Sequence, residues 1–244
     1  MINLDTFDAP VRAVVVGSSG AIGQSFVKHL LSTPEIDSVQ GFSRSKCEIK
    51  HEKFENYAID LTDEETIIKA KESLKPYHLI IIATGMLHQD HVQPEKRFQD
   101  LDPKTLETCY TVNTIGPMLV AKHFLEKMNH DNKSVFAFLS AKVGSIEENR
   151  LGGWYGYRSS KAALNMHMKS LSIEIQRFHP QSIIVSLHPG TVKSKLSDPF
   201  SHNLNPDQLF EPDFAAEKLL RVINNLETQH NGGFISHDGT TIPF

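Results

Sequence analysis

Apolar residues fall along this chain in short bursts and in longer segments of helical spacing, and the two kinds alternate from one end to the other. Val11 to Val16 is a valine-rich burst that stops at Gly17-Ser18-Ser19-Gly20-Ala21-Ile22-Gly23. Phe26, Val27, Leu30 and Leu31 then recur at the spacing of a helix, which Thr33-Pro34 ends. Val39 to Phe42 and Phe54 to Ile59 predict a second and a third strand, and Thr62 with Glu65 forms a capping-box pattern for a helix through Leu74. Leu79 to Ala83 is uninterrupted apolar chain, as in a central parallel strand. Pro103 opens a long helical segment to about Met128, with Leu106, Val112, Leu119, Val120 and Phe124 as its buried stripe. Ser134 to Leu139 predicts a fifth strand and Ile183 to Leu187 a sixth. The helix between them turns Ala163, Leu164, Met168, Leu171 and Ile175 inward and stops at His179-Pro180. His188 to Val192 reads as a turn, Pro212 to Leu226 as the last helix and Gly233-Phe234-Ile235 as the last strand. Lys193 to Asn205, polar with scattered Leu and Phe, reads as a substrate lid.

This alternation predicts an α/β fold: a single-domain Rossmann-type doubly wound parallel sheet of about seven strands, with helices on both faces and a ligand crevice at the carboxyl ends of the strands. No repeat or linker divides the chain, so residues 1–244 are expected to form one NAD(P)-binding domain with a lid around 191–211.

Composition narrows the partner. A net charge of -4 provides no field for nucleic acid or an anionic membrane, which leaves a small molecule. Cys47 and Cys109 are too few for a disulfide framework and suit reduced thiols in the cytoplasm. Asp5 and Asp8 interrupt the first ten residues, so no secretory leader is expected, and no apolar run reaches membrane-spanning length. His88 and His91 have a spacing some metal sites use, but no Cys, Glu or third His completes a set, and no metal is expected.

Candidate chemistry gathers where predicted strands end. Tyr157 and Lys161 stand one helical turn apart. An ammonium ~4 Å from a phenol at an effective dielectric of ~20 offers roughly 4 kcal/mol, enough to lower the phenol's pKa by about 3 units and let it trade a proton near neutrality. Alone, the pair would equally suit an exposed helix face. Gly17, Gly20 and Gly23, with Ser19 and Ile22 between them, let backbone approach a pyrophosphate at a helix N-terminus, although an ordinary tight turn uses the same residues. After the second strand, Arg44 can fork onto a 2'-phosphate with Ser43 donating beside it, so NADP(H) is favoured over NAD(H); a plain surface charge is the alternative. Asp60 closes the third strand, and backbone at Ala83, Thr84 and Gly85 is expected beside a bound adenosine. Asn113, near Gly116-Pro117 within an apolar helix, suggests a local bulge with a polar task, or an amide satisfying a neighbouring carbonyl.

Jointly, Gly17-x-x-x-Gly20-x-Gly23, Asp60, Asn113, Tyr157-x-x-x-Lys161 and Pro189-Gly190-x-Val192 resemble the short-chain dehydrogenase/reductase family over nearly the whole chain. The wording from Gly152 to Asn165 is similar to the branch of C-factor proteins and sniffer-type carbonyl reductases. The resemblance implies that Tyr157 is the acid/base, that Lys161 lowers its pKa and holds the nicotinamide ribose, and that Asn113 anchors a water relay. It implies cofactor contacts from the glycine loop, from Asp60 and Leu61 at the adenine, and from Pro189, Gly190 and Val192. It also implies hydride exchange between NADP(H) and a small carbonyl or alcohol, and pairing of copies as a dimer or tetramer through the two long helices. Two positions depart from the family pattern. Ile82-Ala83-Thr84-Gly85 lacks the usual amides, and Ala141 stands where the catalytic serine is expected, leaving Ser140 as first choice and Ser145 as second. A dinucleotide-binding signalling or sensor protein with weak or no catalysis is therefore the alternative function.

Overall fold

The parallel sheet is built from β1 (Val11–Val16), β2 (Ile36–Ser43), β3 (Phe54–Ala58), β4 (Leu79–Ile82), β5 (Ser134–Leu139) and β6 (Ser182–His188), with Phe234–Ser236 as its seventh strand. A separate two-stranded ladder, β7 (Thr191–Val192) and β8 (Leu209–Phe210), precedes that last strand, β9, in the chain. The order in the large sheet is β3-β2-β1-β4-β5-β6-β9, and every neighbouring pair is parallel. Strand order therefore reverses between β1 and β4, which opens a crevice at their carboxyl ends. The computed structural model describes residues 2–8, 10–89, 92–194, 197 and 209–244.

Helices α1 (Ala21–Leu31) and α6 (Pro212–Asn224) cover one face of the sheet. The other is covered by α2 (Glu64–Ser73), α4 (Gly116–Phe124) and α5 (Tyr155–Gln176), with α3 (Pro103–Tyr110) leading into α4. Alternation along each strand divides the core between these layers. Val15, Ile81 and Val185 pack with Phe26 and Leu219, whereas Val16, Ile82 and Phe138 pack with Phe124, Leu164 and Met168. Because both faces are covered, the central strands carry long apolar runs, as at residues 13–16, Leu79–Ile82 and residues 135–139, and each fully buried aliphatic or Phe side chain contributes about 1.5–3 kcal/mol.

Several local expectations needed correction. Asp63, not Thr62, caps α2 by accepting from Glu65 N, because Thr62 turns its own N–H and hydroxyl onto Asp60 Oδ1. The long segment from Pro103 is broken by a π-helical turn over Thr111–Ile115. That wider turn rotates the buried face onto Thr105, Cys109, Asn113, Gly116 and Val120, leaving Leu106, Val112 and Leu119 half-buried. Thr191–Val192 pairs with Leu209–Phe210 rather than forming only a turn, while most of the expected lid, residues 195, 196 and 198–208, lies outside the described residues. Among the described residues, no helix is long and apolar enough to cross a membrane.

Candidate active site

At the end of β1 the chain turns through Gly17 at φ 90 into α1. A Cβ on Gly17 would lie 2.9 Å from Ala83 O, and one on Gly23 would lie 2.1 Å from Gly17 O, so both positions require a bare Cα. Gly20, the N-cap of α1, offers no side chain to the first turn, and that turn holds no acidic residue. The unpaired N–H groups of a helix start thus face the crevice with their partial positive charge uncompensated, as an anion requires. Ser18 fixes the loop from behind, its hydroxyl lying 2.9 Å from Asn56 Oδ1 and 3.1 Å from Ser43 Oγ with one proton to give. Ser19 and Ile22 lie on the same loop and first turn.

Arg44 is exposed just beyond β2. Across the end of β3, Asp60 has its pKa lowered by the Thr62 N–H, and the nearby Arg44 charge contributes. Leu61 packs its backbone against Gly116, where a Cβ would sit 2.6 Å from Leu61 O, so the end of β3 is seated on the π-turn. Gly190 has φ 77, and a Cβ there would meet the Phe210 ring at 2.6 Å, which brings the turn after Pro189 against the ladder containing Val192.

The π-turn presents Asn113 inward, fully buried. Its Oδ1 accepts from Met86 N at 2.7 Å, and its Nδ2 donates to Met86 O at 2.8 Å and Ser160 Oγ at 3.1 Å. The carboxamide is thereby committed to protein, locking the chain after β4 to α5. Between these elements lies Gly85: a Cβ built on it would be 3.5 Å from Lys161 Nζ and 3.8 Å from Asn113 Oδ1. Tyr157 and Lys161 are both buried on α5, and Lys161 Nζ donates to Leu139 O at 2.9 Å. Burial draws the Lys161 pKa down to about 8. It also pushes the Tyr157 phenol well above its ordinary value, with Cys109 adding to the rise. In the protein alone burial dominates the phenol, and Lys161 is not among the causes of its shift.

Ser140 is buried, and its hydroxyl has no hydrogen-bond partner among the described residues. By strand alternation it faces the side of Phe136 and Phe138, the layer that holds α5. Ala141 follows with the opposite parity. Ser145 Oγ accepts from Glu148 N at 3.1 Å. The hydroxyl of Thr84 is likewise buried without a partner among the described residues. His91 lies outside the described residues, so its spacing to His88 has no geometry here.

Three further residues around this site make contacts that the sequence pattern does not announce. Glu95 accepts from Gly156 N at 3.1 Å. Arg158 donates from Nε to Gly153 O at 3.0 Å and to Gly152 O at 3.2 Å. His188 accepts from Lys142 N at 3.2 Å, tying the end of β6 to the turn after Ala141. Arg158 lies inside the Tyr157-x-x-x-Lys161 motif and His188 directly before Pro189-Gly190, but their spacing does not announce these contacts, and Glu95 lies in no motif.

A family model described as short chain dehydrogenase matches residues 12–205. The C-signal of Myxococcus xanthus is 32% identical over 146 residues, covering 59% of this chain and 82% of that protein. An uncharacterized oxidoreductase of Schizosaccharomyces pombe is 28% identical over 253 residues, covering 94% of this chain and 96% of that one. Among solved structures, an NADPH-bound carbonyl reductase from chicken fatty liver superposes with a TM-score of 0.84 at 24% identity, covering 98% of this chain and 96% of the other.

Proposed function

The chain belongs to the short-chain dehydrogenase family, and from that premise we propose that it is an NADP(H)-dependent oxidoreductase that reduces a small carbonyl compound. One observation carries this reading: Asn113, Lys161 and the bare Cα of Gly85 converge beside a glycine-lined anion cradle. The cradle suits a dinucleotide, since bare Cα atoms at Gly17 and Gly23 let the loop fold tightly against Ala83 and onto itself, which brings the uncapped start of α1 to the crevice. Gly17, Gly20 and Gly23 would hold the pyrophosphate, Asp60 and Leu61 would border the adenine, and Ser43 and Arg44 would take a 2'-phosphate.

When bound, NADPH supplies a hydride to the carbonyl carbon. Tyr157 gives its proton to the carbonyl oxygen as negative charge develops there. Lys161 keeps two ammonium hydrogens beyond the one given to Leu139, and its charge lowers the cost of the phenolate left behind. Asn113 holds Met86 and Ser160 still while this happens. We assign the carbonyl-polarising hydroxyl to Ser140, supported by its buried, unpartnered Oγ on the α5 side of the sheet. Pairing of two copies through α5 is supported by the exposed Met166 and Ile173 on that helix.

Ala141 also supports a second reading, a dinucleotide-binding signalling protein with weak catalysis. Purified protein incubated with NADPH and a panel of aldehydes, ketones and quinones separates the two. Oxidation of NADPH supports the reductase, and tight NADPH binding with no oxidation across the panel supports the sensor.

A further inference from the structure

Glu95 sits in the loop between β4 and α3, buried to 4% exposure, and it reaches the head of α5 twice. Its main-chain carbonyl oxygen accepts from Trp154 N, and its carboxylate Oε2 accepts from Gly156 N. Helix α5 has no cap of its own, because Trp154 stands at the N-cap position and makes no side-chain cap. A helix start leaves its first N–H groups unpaired, and a carboxylate there gains from both the hydrogen bond and the helix dipole. Here that carboxylate arrives from another loop.

The approach is built into neighbouring residues. A Cβ on Gly156 would lie 3.0 Å from Glu95 Oε1 and 3.3 Å from Cys109 Sγ, so a side chain at this position would crowd the carboxylate. Ahead of the helix, Gly152, Gly153 and Trp154 take φ of 64, 64 and 51 in succession. The left-handed conformation costs a residue such as Trp roughly 1–2 kcal/mol. That backbone is held by the Glu95 carbonyl on Trp154 N, by Asn149 Oδ1 on Gly152 N, and by the Arg158 guanidinium on Gly152 O and Gly153 O. Tyr157 is the next residue after Gly156.

We propose that Glu95 is a positioning residue, which caps α5 from the β4–α3 loop and thereby sets the Tyr157 phenol in its working orientation. This rests on the assignment of Tyr157 as acid/base. The hydrogen bonds of Glu95 go to main chain at the head of α5, so its removal acts on turnover and leaves cofactor binding nearly intact.

Trp154 is the chain's single tryptophan, and its indole meets the Tyr157 ring edge-on at 6.3 Å between centroids. Its fluorescence therefore reads the head of α5 without any turnover. Glu95→Ala is expected to lower kcat by about 10- to 100-fold, to leave KM for NADPH within about twofold, and to shift Trp154 emission to the red. Glu95→Gln, whose amide oxygen accepts the same hydrogen bond, restores turnover and emission. Glu95→Asp, one methylene short, behaves like alanine. Wild-type emission and kcat in Glu95→Ala would overturn the proposal, as would a loss confined to KM or a glutamine variant no better than alanine. If Glu95→Ala does not fold, the comparison passes to the other two: glutamine above aspartate supports the proposal, and the reverse order overturns it. If the wild-type protein turns over no carbonyl, the Tyr157 assignment fails by itself, and the emission series still decides whether Glu95 holds the head of α5.

Discussion

Lys161 donates from its buried ammonium to the carbonyl oxygen of Leu139 at 2.9 Å, tying α5 to the end of β5 one turn away from Tyr157. Burial sets its pKa at about 8, so the ammonium keeps its proton below that pH and loses it above. Since kcat/KM reports the free enzyme, carbonyl reduction should fall as pH rises through about 8. Lys161→Met should lower kcat/KM by about 100-fold and remove this limb. A pH–rate profile with NADPH as the varied substrate checks both.

Arg44 should govern the choice of dinucleotide. Arg44→Ala is expected to weaken NADPH binding by about tenfold or more, the value of a charge-assisted contact of roughly 1.5–3 kcal/mol, and to leave NADH binding unchanged. Because Arg44 is exposed, the difference should shrink as salt is added. Titration of cofactor fluorescence at two ionic strengths measures it.

Asn113 is the latch between the chain after β4 and α5. Asn113→Ala leaves Met86 N–H and Met86 C=O without their partner in a buried place. The expected loss is about 2–4 kcal/mol, read as a lower urea midpoint at unchanged slope.

His188 should make stability depend on pH. Burial, with His237 and Lys142 adding, lowers its pKa to about 4, against an ordinary value near 6.5. The unfolded chain therefore binds a proton over this window that the folded protein does not. Stability is full above about pH 6.5 and falls as pH drops toward 4, by about 2 kcal/mol at pH 5. His188→Asn keeps an acceptor for Lys142 N and should flatten that slope in urea melts at pH 5 and 7.5.

The fold was readable because a sheet buried on both faces leaves unbroken apolar runs, as at residues 13–16 and Leu79–Ile82. Gly116-Pro117 likewise announced an irregular helix, since proline cannot donate the next backbone bond, and a π-turn is found directly before it. The four-residue spacing of Tyr157 and Lys161 told which side of α5 they share, but not where Nζ would go or how strongly burial would act on the phenol. Those depend on the Leu139 carbonyl and on the packing above it. Glu95 was invisible for a related reason: its partner Gly156 lies 61 residues away, and a lone glutamate after a proline carries no periodic signal.

The most direct test of the account compares NADPH binding and single-turnover hydride transfer in the wild-type protein and in Tyr157→Phe, using whichever carbonyl the panel identifies. Loss of the phenol proton should slow hydride transfer by at least about 100-fold while NADPH affinity stays within about twofold. Equal rates in the two proteins would contradict the account.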